Sequence, residues 1–491
     1  MPTLPHDLYR AAQVRELDRL ATEQCGLASG ILMARAGQAA FDLLRRRWPA
    51  VRRVGVVCGI GNNGGDGFVL ARLAREAGLE VALYQVGEAA RLRGDALAAA
   101  QAAGIQAQPL AAGGLRHCDV VVDALLGTGL CGEVRDVWGE AISALNDCGR
   151  PVLALDIPSG LDADTGAPQG RAVQAAATIT FIGVKQGLLT GAGPALGGEL
   201  HFADLGIPAP VYGRVAAAAR RLDLGQFHAL LAPRPRDAHK GDCGHVLVVG
   251  GDHGYAGAVR LAAEAAARCG AGLVSVATRA DHVGAITAAR PELMCHGVES
   301  VAELEPLLRR ATVIVAGPGL GQGAWGQGLL GRLLQASQPL VVDADALNLL
   351  AQDPLHRKDW VLTPHPGEAG RLLGEPAAQV QQSRFAAAAG LQASFGGVVV
   401  LKGPGTLVLG DDGMPGICSG GNPGMASGGM GDVLSGIIGG LAAQGLDLRE
   451  AAGAGVCLHA AAADAAAAAE GERGLLASDL FPWLRRLVNP A

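Results

Sequence analysis

The chain has 491 residues, 49% hydrophobic and 18% charged, which excludes a disordered chain and exceeds what one compact core usually holds. Its formal net charge of −6 gives no electrostatic case for nucleic acid or an anionic membrane, so neither is expected as a partner and small-molecule chemistry is the default. The N-terminal stretch MPTLPHDLYRAAQVRELDRLA is charged throughout, unlike a secretory signal, and the ten cysteines form no C-x-x-C pair; both features predict a reducing, cytoplasmic setting without a zinc site or disulfide framework.

Short apolar runs alternate with helical patterns along the chain, the signature of βαβ units and parallel sheets. VRRVGVVC (51–58) reads as a strand, GIGNNGGDG as a turn and FVLARLAREAG as an amphipathic helix. Gly59, Gly61 and Gly64 match G-x-G-x-x-G, a turn that lets phosphate approach bare backbone N–H groups. The ribose-binding acid of a dinucleotide site should end the next strand, yet Glu80 only opens EVALYQVG and Glu88 lies beyond it. A glycine-requiring βα turn is the bland alternative, but Asn62, Asn63 and Asp66 in that turn are costly to bury unless they bind something.

CDVVVDALL, RPVLALDIP and ATITFIGV are the next strands, and two of them end in acids, Asp123 and Asp156, with Ser159 just beyond the second. In a parallel sheet these carboxyl ends converge on one crevice. Amide, carboxylate and hydroxyl oxygens suit a weakly held cation such as potassium and not zinc, which prefers nitrogen and sulfur. Val211 to Asp242, with Pro233 and Pro235, separates two strand series, so the domains are expected at 1–220 and 221–491.

The second series runs GHVLVVGG, AGLVSVAT, ATVIVAGPG, QPLVVDADAL, DWVLTPH and VVVLKG. Phe385 to Leu401 reads as a helix end, a turn and a strand, not a bilayer span. No Gly-Lys pair occurs, which excludes a P-loop. SGGMGDVLSG offers another phosphate site: helical spacing begins near Met430 or Gly431, and Gly428, Gly429 and Gly431 would form an anion hole at its positive end. Asp432 in the first turn is then either a base for a hydroxyl attacking that phosphate or an acid that merely complements the helix dipole. The Ala-rich run at 460–469 is read as the penultimate helix. Only four of the 40 basic residues are lysines, Lys185, Lys240, Lys358 and Lys402; where arginine is the default, a lysine can mark a place that needs its compact ammonium.

VRELDRLATEQCG, GIGNNGGDG, DALLGTGL, LDIPSGLDADTG and TFIGVKQGLLTGAG resemble the YjeF N-terminal, NAD(P)H-hydrate epimerase family over residues 10–210. HKGDCGHVLVVGGDHGYAGA, IVAGPGLG, VVDADALNLL, LTPHPGEAGRLLG, VVLKGPGTLVL and SGGMGD resemble its ribokinase-like, ADP-dependent NAD(P)H-hydrate dehydratase partner over 235–485. The resemblance implies a Rossmann-like three-layer α/β/α domain followed by a ribokinase-like α/β domain. In the first, Asn62, Asn63, Gly64, Gly65, Asp66, Gly127, Thr128, Gly129, Leu130, Cys131, Gly132, Glu133 and Asp156 would hold the hydrated nucleotide. Asn63, Asp123 and Ser159 would bind potassium, with Asp156 catalytic and Lys185 its polar partner. In the second, Ala258, Gly319, His365 and Asp432 would contact the hydrate, with Asp432 as catalytic base. Lys402, Gly403, Pro404, Gly405, Thr406 and Gly431 would contact the adenine nucleotide. Asp343 and Asn348 are further supports for metal or phosphate. His365 taken alone reads as a loop histidine, and Lys240 equally as a surface lysine or a phosphate ligand.

The implied function is bifunctional repair: interconversion of R and S NADHX or NADPHX, then dehydration of the S form with ADP and magnesium, giving AMP and phosphate. A homo-oligomer is expected. The competing expectation is a ribokinase-like small-molecule kinase, for instance of vitamin precursors, with a nucleotide-binding N-terminal domain.

Overall fold

The β-branched runs form strands buried on both faces, the pattern of parallel sheets covered by helices. The computed structural model describes residues 4–27, 29–110, 113–130 and 132–490, and the chain splits into two compact units after Arg220.

In the first unit seven parallel strands follow the order Gln108–Pro109, Glu80–Gln85, Arg53–Cys58, Val120–Ala124, Val152–Leu155, Ala177–Phe181, Glu199–Ala203. Alternate side chains serve opposite faces. Val54, Val56 and Val122 pack with the helices Ser29–Arg47 and Asn62–Glu76. Val57, Val121 and Val152 pack with Asp136–Asn146. The result is three layers. Chain order reverses between Arg53–Cys58 and Val120–Ala124, so the loops after these strands diverge and leave a crevice at the carboxyl edge.

The second unit repeats this logic with parallel strands Met294–Gly297, Leu273–Thr278, His245–Val249, Val313–Ala316, Leu340–Val342, Trp360–Leu362 and Val398–Leu401, extended by antiparallel Thr406–Leu409 and Gly416–Cys418. Val246, Val248, Val315 and Val341 pack with helices Ala256–Arg268, Met430–Ala443 and Leu448–Glu470. The intervening Leu247, Val249, Ile314 and Leu340 are fully buried on the other face. Here the switch lies between His245–Val249 and Val313–Ala316.

Glu199–Ala203 and Met294–Gly297 are strands without an apolar run. Both are sheet edges with partial exposure, where burial no longer dictates composition. Leu448–Glu470 contains the Ala-rich run and is long and apolar enough to cross a membrane, yet 72% of its most apolar window is buried inside the fold. Its apolarity is that of a core helix.

Candidate active sites

At the crevice of the first unit, the helix Asn62–Glu76 starts directly after the turn at Gly59–Gly61. This turn is backbone against backbone: a Cβ on Gly64 would lie 2.2 Å from the Gly59 carbonyl oxygen. Gly64→Ala is therefore expected to cost about 1–3 kcal/mol through overpacking; thermal unfolding followed in the first unit checks this. The turn borders a cavity of about 790 Å³ lined by Asn62, Asn63, Asp66, Gly127, Thr128, Gly129, Leu130, Glu133 and Asp156. Gly64 and Gly65 are buried behind it, Gly132 is exposed outside it, and Cys131 lies outside the described residues. Sequence reasoning missed Arg15, Asp18, Met33 and Trp138, which also line the cavity. Arg15 and Asp18 lie within VRELDRLATEQCG, but no pattern of residue types marks them, Met33 or Trp138 as cavity residues.

Asp156 follows the strand Val152–Leu155 with φ 66°, a left-handed conformation that Asp tolerates better than most side chains and that often marks functional strain. Its carboxylate forms an ion pair with Lys185, whose ammonium also donates to Thr180 Oγ1 at 3.0 Å and the Phe181 carbonyl at 2.8 Å. Lys185 is completely buried and does not line the cavity. Its ammonium therefore reaches the cavity only through Asp156. Burial, then the charge of Asp156, pushes the Asp66 carboxyl well up.

Asn63, Asp123 and Ser159 are all buried. Ser159 donates from Oγ to Asp123 Oδ1 at 2.6 Å and from its backbone N–H to Oδ2 at 2.8 Å. Burial outweighs these bonds and pushes Asp123 up to about 6. The Asn63 amide, only 7% exposed, has no hydrogen-bond partner at either polar atom. Buried amides are rarely left so. A Cβ on Gly127 would lie 3.3 Å from Asn63 Cβ and 3.5 Å from Asp156 Oδ2, so Asn63 and Asp156 face the same loop.

In the second unit, the helix Met430–Ala443 is entered through Gly429 at φ 90°, and Asp432 occupies its first turn. Lys402, at the end of Val398–Leu401, donates to Asp343 Oδ1 at 2.8 Å and lies 3.8 Å from Glu368. Burial alone would lower the Lys402 pKa, but Asp343 and Glu368 outweigh it and raise it. The ammonium would be 3.2 Å from a Cβ on Gly431, so it stands at the mouth of the glycine turn. Burial, then the charge of Asp343, pushes Asp432 up to about 7. Ala344, next to Asp343, is also left-handed at φ 48°.

His365 caps the helix Pro366–Leu373: its Nδ1 accepts from Gly367 N at 2.9 Å and Glu368 N at 3.3 Å. Its neutral tautomer therefore presents Nε2–H, and burial lowers its pKa. A Cβ on Gly319 would lie 3.3 Å from Ala258 Cβ, so those two residues adjoin. Asn348 is engaged by Asp345 at 3.4 Å and by Arg371 at 2.7 Å, and Lys240 is exposed. The Lys402–Asp343 pair was not read from sequence. The scarcity of lysine flagged one partner, but nothing linked positions so far apart.

The profile described as YjeF-related protein N-terminus matches residues 29–187, and that of NAD(P)H-hydrate dehydratase matches 246–486. A ribokinase-like superfamily protein of Enterococcus faecalis V583 aligns with a TM-score of 0.52 and 33% identity, over 56% of this chain and 98% of its own. Fold and sites together define an α/β enzyme with a Rossmann-like unit followed by a ribokinase-like one. The chain is 54% identical over 486 residues to the bifunctional NAD(P)H-hydrate repair enzyme Nnr of Coxiella burnetii, covering 98% of this chain and 99% of that relative. The counterpart of Escherichia coli K12 is 46% identical over 497 residues, with coverage of 99% and 95%. The chain belongs to the bifunctional NAD(P)H-hydrate repair enzyme family. The alternative of a vitamin-precursor kinase is not retained, because both units align with repair enzymes along the whole chain.

Proposed function

We propose that the first unit epimerises the hydrated nicotinamide nucleotides and that the second dehydrates the S epimer with ADP. One observation carries the reading: at the carboxyl edge of its sheet each unit has a lysine–carboxylate ion pair, Lys185–Asp156 or Lys402–Asp343, with a further carboxyl, Asp66 or Asp432, within reach of its charges.

In the first site, Asp156 relays a proton to the C6 oxygen as the ring-nitrogen lone pair expels it as water, and takes a proton back as water adds to the resulting C6=N bond, so that return of oxygen to either ring face interconverts R and S. Lys185 holds the carboxylate in place. The buried, unpartnered Asn63 amide faces Gly127, next to Leu126, which Ser159 Oγ links to Asp123, and this supports a potassium site. These oxygen donors suit the ion, which would supply a fixed positive charge next to the substrate. Asn63→Ala is expected to abolish stimulation of epimerisation by potassium; a potassium titration of the purified variant checks it, and retained stimulation would remove Asn63 from the site.

In the second site, Asp432 takes the proton from the C6 hydroxyl, whose oxygen attacks the β-phosphorus of ADP and displaces AMP. Phosphate is now the leaving group. The ring-nitrogen lone pair expels it, and loss of a C5 proton restores NADH or NADPH. The N–H groups at the Gly428–Gly431 turn stabilise charge on the transferring phosphoryl group, and Lys402 adds a fixed cation. Among the described residues no cluster of three metal-binding side chains occurs. Magnesium would thus enter with the diphosphate, steadied by one or two carboxylates, as that ion commonly is. The nine described cysteines are free thiols, which supports a reducing, cytoplasmic setting.

The test is direct. Purified protein with mixed R and S NADPH hydrate, potassium, magnesium and ADP should recover NADPH from both epimers, followed by its absorbance. No recovery with either ADP or ATP would sink the proposal.

A further inference from the structure

Arg384 is 0% exposed, a rare state for a guanidinium, which is buried only with strong partners. It opens the helix Arg384–Phe395 and reaches into the turn after Val398–Leu401. Nη2 donates to the carbonyls of Leu401 at 3.1 Å, Lys402 at 3.3 Å and Gly405 at 3.3 Å. Nη1 donates to the Lys402 carbonyl at 3.3 Å and to Gln381 Oε1 at 2.7 Å. One planar fork thus gathers three backbone carbonyls of a single turn.

We propose that Arg384 is a positioning residue for nucleotide binding: it draws the Lys402 and Gly405 carbonyls inward, so that the opposite edge of the turn faces the phosphates. The peptide plane makes this geometric. In a trans peptide the N–H points opposite the C=O, so fixing the Lys402 and Gly405 carbonyls on the guanidinium turns the N–H groups of Gly403 and Thr406 away from it. Such outward N–H groups form an anion-binding concavity. The turn is seated directly on the fork, since a Cβ on Gly403 would lie 2.9 Å from Arg384 Nη1. The guanidinium also adds positive charge behind the turn; burial pulls its pKa down to about 10, which leaves it charged at neutral pH. A lysine has one point charge and cannot collect three carbonyls at these angles. The inference rests on the reading of 402–406 as the nucleotide segment.

The experiment uses the full-length enzyme and measures KM for ADP at saturating S hydrate, KM for the hydrate at saturating ADP, and the epimerisation rate. Arg384→Lys is expected to raise KM for ADP about tenfold, with the other two quantities moving less than about twofold. Gln381 is exposed, so Gln381→Ala leaves the fold intact while freeing one arm of the fork; it should raise KM for ADP about two- to threefold. If Arg384→Lys proves unstable, Gln381→Ala alone decides. An unchanged KM for ADP in the folded variants overturns the inference. If Lys402→Met also leaves it unchanged, the nucleotide reading of 402–406 fails with it.

Discussion

Asp432→Asn is expected to slow ADP-dependent conversion of the S hydrate by about 10²–10⁴-fold, with little change in KM for either substrate. Asn fills the same space in the first turn of Met430–Ala443 but cannot accept the hydroxyl proton. Burial and the neighbouring Asp343 push Asp432 up to about 7, so its base form grows as pH rises through that value. Wild-type turnover should therefore climb about tenfold per pH unit below this point and level off above it; the residual rate of the variant should lack that limb. Stability runs the other way. The ordinary value is 3.8, so between it and about 7 the folded state holds more protons than the unfolded chain. This contribution to stability is lost as pH rises through that window. Because Asn carries no charge to bury, the variant should melt no earlier than wild type in mildly alkaline buffer. Lost activity together with a lower melting temperature would instead indicate a damaged fold.

Asp156→Ala is expected to slow epimerisation by about 10²–10⁴-fold. In a mixed R and S NADPH hydrate assay, rapid recovery should then stop at the S fraction, followed by only slow spontaneous interconversion. Conversion of pure S hydrate should match wild type, since Asp156 belongs to the first unit and Asp432 to the second. This difference separates loss of one chemistry from general inactivation. An R hydrate consumed at the wild-type rate would remove Asp156 as the proton-moving group and leave Asp66, the other cavity carboxyl near Lys185, as the candidate. Lys185→Met should slow epimerisation through Asp156 itself, because it strips the carboxylate of its buried partner.

Much of this was legible in the residue order, for local reasons. A run such as VVVL at 398–401 is buried on both faces of a parallel sheet and carries its own strand signal. The helix start at Met430 follows from glycines that permit the entry conformation and from apolar residues spaced for one face. The acids at strand ends, Asp123 and Asp156, were visible for the same reason: chain position along a parallel strand determines which edge a loop joins. Sequence by itself therefore determined two α/β units, their strand series and the acids at their carboxyl edges. Only tertiary structure decided what each acid faces. Lys185 meets Asp156 across 29 residues and Lys402 meets Asp343 across 59, and Arg384 is buried under a turn whose motif does not include it. Ion pairing and burial act over a few ångströms in space, and strand order, which no local pattern encodes, brings such residues together.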